Sequence, residues 1–213
     1  MIDTQIKTKK RVTDHGEVFT NQREVNAMLD LVKHECERFD SRFLEPACGD
    51  GNFLESILDR KLKLLEIYKN SQIEYIKNLY IAVSSLYGIE ILEDNTLRCR
   101  ERLSLKAYNS YTNYFDENIN VQRALKFIFQ KNIIHGDALT LMRVDGSNKP
   151  IIFSEWSLVK DKIHRRDFEL NVLLNYESNN EHNLFSIVGE DIFIPTPLKI
   201  HPLESLFELG NNE

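Results

Sequence analysis

The sequence has no long apolar run. No stretch approaches the ~18 consecutive apolar residues that a membrane-spanning helix needs. The first residues, MIDTQIKTKKRV, also lack the apolar core of a secretory signal peptide. We therefore expect no membrane contact and a cytoplasmic location.

Glycine and proline are scarce, with eight and five among 213 residues. This composition, with 42% apolar and 28% charged residues, excludes fibrous and disordered classes. A chain of this length is long enough for one sizeable domain and short for two. We expect a globular chain with one compact core.

Cysteine is rare as well. The chain has three, Cys36, Cys48 and Cys99, and they form no C-x-x-C pair. Neither a disulfide framework nor a zinc site of the usual spacing is predicted. His34 lies two residues from Cys36, and on a helix two such side chains point in different directions. We expect reduced, structural thiols and no metal site.

The chain has no excess of positive charge: 33 acidic and 27 basic residues give a net charge of −6. Duplex DNA binding depends mainly on neutralising phosphates, so the chain alone is predicted to be a poor general DNA binder. Basic residues do cluster at Lys7–Arg11 and Lys160–Arg166. Clusters of this size are more often solvated surface than binding patches.

Strand and helix patterns alternate along the chain. Thr20 or Asn21, the latter with Glu24 three residues later, predicts the start of a helix whose apolar stripe places Met28 in the core. Residues 108–120 read as a loop, and the segment after 157 is weakly patterned. Strands are predicted at RFLE, SSLYGIEIL, NIIHGDALTL and KPIIFSEWS. The alternation predicts an α/β fold with a largely parallel sheet, whose ligands bind beyond the carboxyl ends of the strands.

A glycine turn, PACGDG, joins the first predicted strand to a helix. It lacks the third glycine of a dinucleotide fingerprint and the lysine of a P-loop, so pyrophosphate and triphosphate binding are disfavoured. It has instead Glu45 at the strand end, a carboxylate that could face a positively charged group. S-adenosylmethionine (SAM), with its ammonium and sulfonium and no phosphate, fits that chemistry.

Four segments in this order, GEVFT, FLEPACGDGNFL, YGIEIL and NIIHGDAL, resemble the first half of the class I SAM-dependent methyltransferases. The resemblance is closest to the adenine-specific DNA methyltransferases of bacterial restriction-modification systems, and it covers residues 16 to about 157. It implies a Rossmann-like class I sheet with flanking helices, truncated or incomplete at its C-terminal end. Gly51 and Glu90 stand 39 residues apart, where a compact unit uses ~20, and a helical insert explains the difference.

The resemblance implies cofactor contacts for nine residues. Phe19 and Thr20 match residues that close over the methionine moiety, and Glu90 matches the acid that binds both ribose hydroxyls. Asp137 matches the acceptor for the adenine amino group, with Ala138 beside the ring. The glycine turn, which would cradle the cofactor, contributes Glu45, Cys48, Gly49 and Gly51.

Each acidic residue in this set has a structural alternative. Glu45 could be a strand-end charge, Glu90 a solvated carboxylate, and Asp137 the opening of a turn or a helix cap.

The resemblance breaks at the acceptor motif. Members of the family hold the adenine amine with an Asn/Asp-Pro-Pro-Tyr/Phe tetrapeptide after the fourth strand, and no such string exists in this chain. The segment SEWS stands there instead, so Glu155 is the candidate acceptor and Trp156 the candidate stacking platform for a flipped base. The alternative is that Trp156 is packed in the core.

Three functions therefore remain open. The first is a methyltransferase subunit that binds SAM and is completed by a partner chain carrying the acceptor motif and DNA recognition. The second is an autonomous methyltransferase that uses residues 154–156 as its acceptor site. The third is a non-catalytic SAM-binding or structural protein. In each case residues 1–157 would form the methyltransferase-like domain, and residues 158–213 would complete the sheet or contact a partner.

Overall fold

The computed structural model describes residue 13, residues 20–175 and residues 195–211. The helices are α1 (Gln22–Leu31), α2 (Lys33–Cys36), α3 (Asn52–Leu64), α4 (Gln72–Ser84), α5 (Glu93–Thr112) and α6 (Ile119–Asn132), with a 3-10 turn at Leu65–Tyr68. The strands are β1 (Phe43–Glu45), β2 (Leu86–Glu90), β3 (Ile133–Asp137), β4 (Met142–Arg143), β5 (Ile152–Val159), β6 (Lys162–Glu169), β7 (Lys199–Ile200) and β8 (Glu204–Ser205). Residues 170–175 are helical.

A parallel sheet forms the centre of the molecule, as expected. β2 lies between β1 and β3 and is parallel to both, and β4 joins the outer edge of β3 in antiparallel orientation. Every residue of β2 is buried, which is typical of a strand covered on both faces. The chain is therefore a mixed α/β protein.

The two faces of this sheet are covered differently. On one face, Leu86 and Ile133 belong to the main core, together with buried side chains of α3, α4, α5 and α6. On the other face, Tyr87, Ile89 and Ile134 pack against Ile151, Phe153 and Leu170. The helices that connect the parallel strands thus cover one face, and the beginning of the β5 segment covers the other.

The predicted fourth strand, β5, forms a second sheet. β5 pairs with β6 through a tight turn at Lys160 and Asp161, and β7 and β8 both pair with β6. Tyr87 anchors this hairpin to β2, because its hydroxyl donates to the Ser154 carbonyl at 2.9 Å. The described strands after residue 157 extend this second sheet and not the parallel one.

β5 runs against the direction of the parallel strands. It begins next to Ile151, whose Cδ1 packs close to Gly136 near the carboxyl end of β3. It then reaches Arg42, the residue before β1, through Glu155, and Asn132, the last residue before β3, through Trp156. The predicted fourth strand therefore exists but does not extend the parallel sheet.

Some sequence expectations need correction. The first helix begins after Asn21, whose side chain caps it by accepting from the Arg23 N–H, as predicted. Met28, however, is 55% exposed and is not core, since the buried face of this helix is limited to Val25 and Leu29. The loop expected from residue 108 starts later, since the buried Tyr111 extends α5 to Thr112.

Candidate functional site

Acidic side chains gather at one edge of the parallel sheet. Glu45 ends β1, Glu90 ends β2 and Asp137 ends β3. The strands are neighbours in register, with Glu45 opposite Gly88 and Glu90 opposite His135. The carboxyl ends of parallel strands form the edge at which α/β proteins bind ligands. The structure thus brings together the three carboxylates that the sequence singled out separately.

The glycine turn stands at the same edge in a conformation that needs glycine. Gly49 has a φ of 55° and Gly51 a φ of 96°, in the left-handed region that side chains disfavour. A Cβ built on Gly51 would lie 2.8 Å from the Cys99 Sγ and 3.5 Å from the Cys99 Cα. The turn therefore packs directly against α5, and a side chain at position 51 would push it away.

Backbone hydrogen bonds fix the path of this turn. The Cys48 N–H donates to the Ile89 carbonyl at 3.0 Å, and the Gly51 N–H donates to the Cys48 carbonyl at 2.9 Å. Arg102 of α5 also contacts the turn. It forms an ion pair with Asp50 of the turn at 2.9 Å and a second ion pair with Glu55 of α3. The turn is thus tied to β2 and α5.

Glu90 is the most buried carboxylate of the edge, at 7% exposed. Its Oε2 accepts from the Gly49 N–H at 2.8 Å, and its Oε1 accepts from the Leu92 N–H at 2.8 Å. Each carboxylate oxygen has a second lone pair. Glu90 therefore fastens the glycine turn to the end of β2 and keeps acceptor capacity for the hydroxyls of a ligand.

Glu45 and Asp137 are half-buried and make local turns. The Glu45 Oε1 accepts from the Ala47 N–H at 3.3 Å, and the Asp137 Oδ1 accepts from the Leu139 N–H at 2.8 Å. These are the structural roles considered above for strand-end acids. In each residue the second oxygen has no such turn contact, so a turn role and a ligand role are compatible.

Two exposed apolar side chains at this edge were missed by the sequence reasoning. Ile91 follows Glu90 and is 49% exposed, and Leu139 follows Ala138 and is 94% exposed. They extend from neighbouring strands, and exposed aliphatic groups beside convergent polar groups are typical of pockets for flat ligands. The available signal was an aliphatic residue one position after Glu90 and two positions after Asp137.

The thiol of Cys48 is neutral and buried in the wall of the turn. A hydrogen bond with Cys99, together with burial, raises the pKa of Cys48 well above its usual value. The same side chain approaches β2, since a Cβ on Gly88 would lie 2.8 Å from the Cys48 Sγ. Cys48 therefore adds packing and no charge to the site.

The predicted N-terminal cofactor contacts are described only in part. Thr20 is exposed, and its carbonyl accepts from the Asn52 Nδ2 at 2.8 Å. It therefore lies beside the first residue of α3, directly after the glycine turn. Phe19 lies outside the described residues.

Glu155 and Trp156, the candidate acceptor residues, lie away from this edge. Glu155 is ion-paired with Arg42 and with Arg166, and Arg42 precedes β1, at its amino end. Trp156 is 7% exposed, and its Nε1 donates to the Asn132 Oδ1 at 2.9 Å. Phe127 meets its ring edge-on, 6.0 Å away. The geometry favours the structural alternative for Trp156.

The described residues contain no group of three or more His, Cys, Asp or Glu arranged to hold a metal ion. Within the same residues, no helix is both long and apolar enough to cross a membrane.

The fold is that of an α/β protein whose glycine turn and strand-end acids stand at the carboxyl edge of a parallel sheet, the edge at which such proteins bind ligands. The chain matches the family described as MmeI, DNA-methyltransferase domain, over residues 8–147, which is more than half of its length. It belongs to that family and is a DNA-methyltransferase-like protein of restriction-modification type, so the resemblance in the sequence is confirmed. No curated protein and no solved structure matches the chain significantly. The matched region ends before β5.

Proposed function

We propose that this chain is the cofactor-binding part of a SAM-dependent DNA adenine methyltransferase of a restriction-modification system, built on a Rossmann-like class I sheet. A second protein chain would supply the acceptor residues and DNA recognition. One observation carries the proposal: the glycine turn, Glu45, Glu90 and Asp137 occupy one edge of the parallel sheet, whereas Glu155 and Trp156 contact residues at the opposite edge.

The residues at the carboxyl edge fit the parts of SAM. Glu45 offers a negative charge for the ammonium and sulfonium, next to the tight turn of Cys48, Gly49 and Gly51. Glu90 offers acceptor lone pairs for the ribose hydroxyls. Bound SAM would supply an electrophilic methyl group, and the role of this chain would be to hold and orient the cofactor.

The remaining assignments concern the adenine end and the methionine end of SAM. Asp137 would accept from the adenine amino group, and Ala138 would contact the ring. The exposed aliphatic chains of Ile91 and Leu139 would cover the faces of the ring. Phe19 and Thr20 would close over the methionine moiety.

A second chain is proposed because, among the described residues, neither candidate acceptor side chain lies at the proposed cofactor edge. Methylating the exocyclic amine of adenine needs a positioned acceptor and a stacking surface for the flipped base. Glu155 is engaged by two arginines, and Trp156 is hydrogen-bonded in the core. The net charge of −6 also argues that a partner holds the DNA.

The test is transfer of labelled methyl from SAM to unmethylated bacterial DNA, with Glu45→Ala as the background control. We expect no incorporation by the chain alone. We expect incorporation when this chain is mixed with the second part of a related adenine methyltransferase, the acceptor half. The acceptor half begins just before the Asn-Pro-Pro-Tyr motif of that enzyme. Glu45→Ala should abolish that signal, and Trp156→Phe should retain it.

Other outcomes identify the alternatives. Incorporation by the chain alone that Trp156→Phe abolishes would establish the autonomous enzyme. SAM binding without incorporation in either arrangement would favour a non-catalytic SAM-binding protein.

A further inference from the structure

Asn52 is the first residue with a side chain after the glycine turn, and its side chain contacts a distant part of the sequence. Gly51, at the start of α3, provides no side-chain cap for that helix. The Asn52 Nδ2 donates to the Thr20 carbonyl at 2.8 Å, across 32 residues of sequence. A carbonyl only accepts, so the amide nitrogen of Asn52 faces Thr20. Asn52 thus joins the glycine turn to the residue that precedes the cap of α1.

The packing of α1 on the molecule does not depend on this hydrogen bond. Val25 and Leu29 of α1 are buried in the main core, together with apolar side chains of α3. Burial of two aliphatic side chains outweighs one exposed hydrogen bond. Loss of the Asn52 contact would therefore release Thr20 while α1 stays in place.

Thr20 is exposed and lies at the carboxyl edge of the parallel sheet, because its hydrogen-bond partner begins the helix that follows the glycine turn. The proposed site for the methionine moiety of SAM is at the same turn, next to Glu45. A segment that is already held beside a ligand binds it better than one that must first be ordered, since ordering costs binding free energy. The contact between Asn52 and Thr20 would provide that order.

We infer that Asn52 is a positioning residue for the cofactor, which holds Thr20 beside the glycine turn so that this part of the chain borders the amino-acid end of SAM. This inference rests on the proposed function. Asn52 acts through Thr20 and need not touch the cofactor. Its removal would lower the affinity for ligands that carry the methionine moiety and spare ligands that carry the nucleoside alone.

The experiment is calorimetric titration of wild type, Asn52→Ala and Gln22→Ala with SAM. Gln22→Ala is the matched control, because the Gln22 Nε2 donates to the Ser56 Oγ at 2.7 Å. That contact joins the same two helices one turn further from the glycine turn. We expect Asn52→Ala to weaken SAM binding roughly three- to tenfold, the effect of one lost hydrogen bond, and Gln22→Ala to leave it unchanged. The thermal midpoints of the two variants should agree.

A second ligand separates positioning from a general loss of structure. 5′-Methylthioadenosine keeps the adenine, the ribose and the sulfur of SAM but lacks the amino-acid portion. Its affinity, measured by competition with SAM, should be the same in wild type and Asn52→Ala. An equal loss of affinity for both ligands would show that Asn52 supports the whole site, and it would overturn the inference.

Wild-type SAM affinity in Asn52→Ala would also overturn the inference. So would an equal loss of SAM affinity in Gln22→Ala, because the general docking of α1 on α3 would then be the cause. A folded wild-type chain that binds no SAM would count against the proposed function itself, so the two failures are distinguishable.

Discussion

The Gly49 N–H donates to the Glu90 carboxylate at 2.8 Å, across 41 residues of sequence. This bond joins the glycine turn to the end of β2, and the second Glu90 oxygen accepts from the Leu92 N–H. Glu90 thus anchors the glycine turn, and the same side chain is the one proposed to bind the ribose of the cofactor.

Glu90→Ala should harm both stability and SAM binding. The variant leaves two backbone N–H groups without their acceptor, which costs about 1–3 kcal/mol each when such groups stay buried. Urea unfolding measures the first effect and calorimetry the second. Glu90→Gln keeps one acceptor oxygen and should lie between wild type and Glu90→Ala in both. A wild-type SAM affinity in Glu90→Ala would contradict the ribose assignment.

Gly51→Ala should destabilise the chain more than Gly146→Ala does. Both glycines have a positive φ, of 96° and 81°, but a Cβ at position 146 meets no atom within 4 Å. The stability lost in Gly146→Ala measures backbone strain alone, about 1–2 kcal/mol. The additional stability lost in Gly51→Ala measures the contact of the new Cβ with Cys99. The check is the free energy of unfolding in urea. Equal losses would show that the turn can move away from α5.

Asp137→Asn should weaken SAM binding without disturbing the turn. The asparagine oxygen can still accept from the Leu139 N–H, but the amide nitrogen replaces the oxygen proposed to accept from the adenine amino group. A loss of roughly 1–3 kcal/mol is expected. Asp145→Asn is the matched control, because Asp145 accepts from the Ser147 N–H in a similar turn outside the site. Equal SAM affinity in the two variants would remove Asp137 from the proposed contacts.

The stability contributed by Lys61 should rise with pH. Its ammonium donates to the carbonyls of Arg38, Phe39 and Ser41, and burial lowers its pKa from 10.5 to about 8. Between these two values the folded chain holds Lys61 neutral while the unfolded chain keeps the proton. The unfolded state then binds more protons, so stability increases with pH.

Urea unfolding of wild type and Lys61→Met at about pH 7.5 and about pH 9.5 measures this effect. The stability difference, wild type minus variant, should grow at the higher pH. A stability difference that is the same or smaller at the higher pH would show that the three carbonyls keep Lys61 protonated despite its burial.

Local signals predicted much of the central sheet. Asn21 capped a helix as expected, and the apolar runs ending in Glu45, Glu90 and Asp137 became neighbouring strands because helical connections force parallel pairing. The convergence of the three acids at one edge follows from that topology. Their hydrogen bonds do not follow, since the partners of Glu90 are backbone groups whose positions depend on how the turn folds.

The course of β5 could not be read from its own residues. The residue pattern of β5 suits a strand in either sheet. Its place in the second sheet depends on β6, which pairs with it after the turn at Lys160 and Asp161. Lys160 has a φ of 57°, a conformation usually taken by glycine or asparagine in such turns, so the hairpin signal was weak. Within that hairpin, Glu155 contacts Arg42 and Trp156 contacts Asn132, at the amino-terminal edge of the parallel sheet.

The central claim is that the carboxyl edge of the parallel sheet binds SAM, and calorimetric titration of the purified chain with SAM tests it most directly. The account predicts one saturable site per chain, weakened at least tenfold by Glu90→Ala and unaffected by Glu117→Gln, a carboxylate in the exposed loop after α5. Absence of saturable binding in the folded wild-type chain, or equal affinity in the two variants, would contradict it.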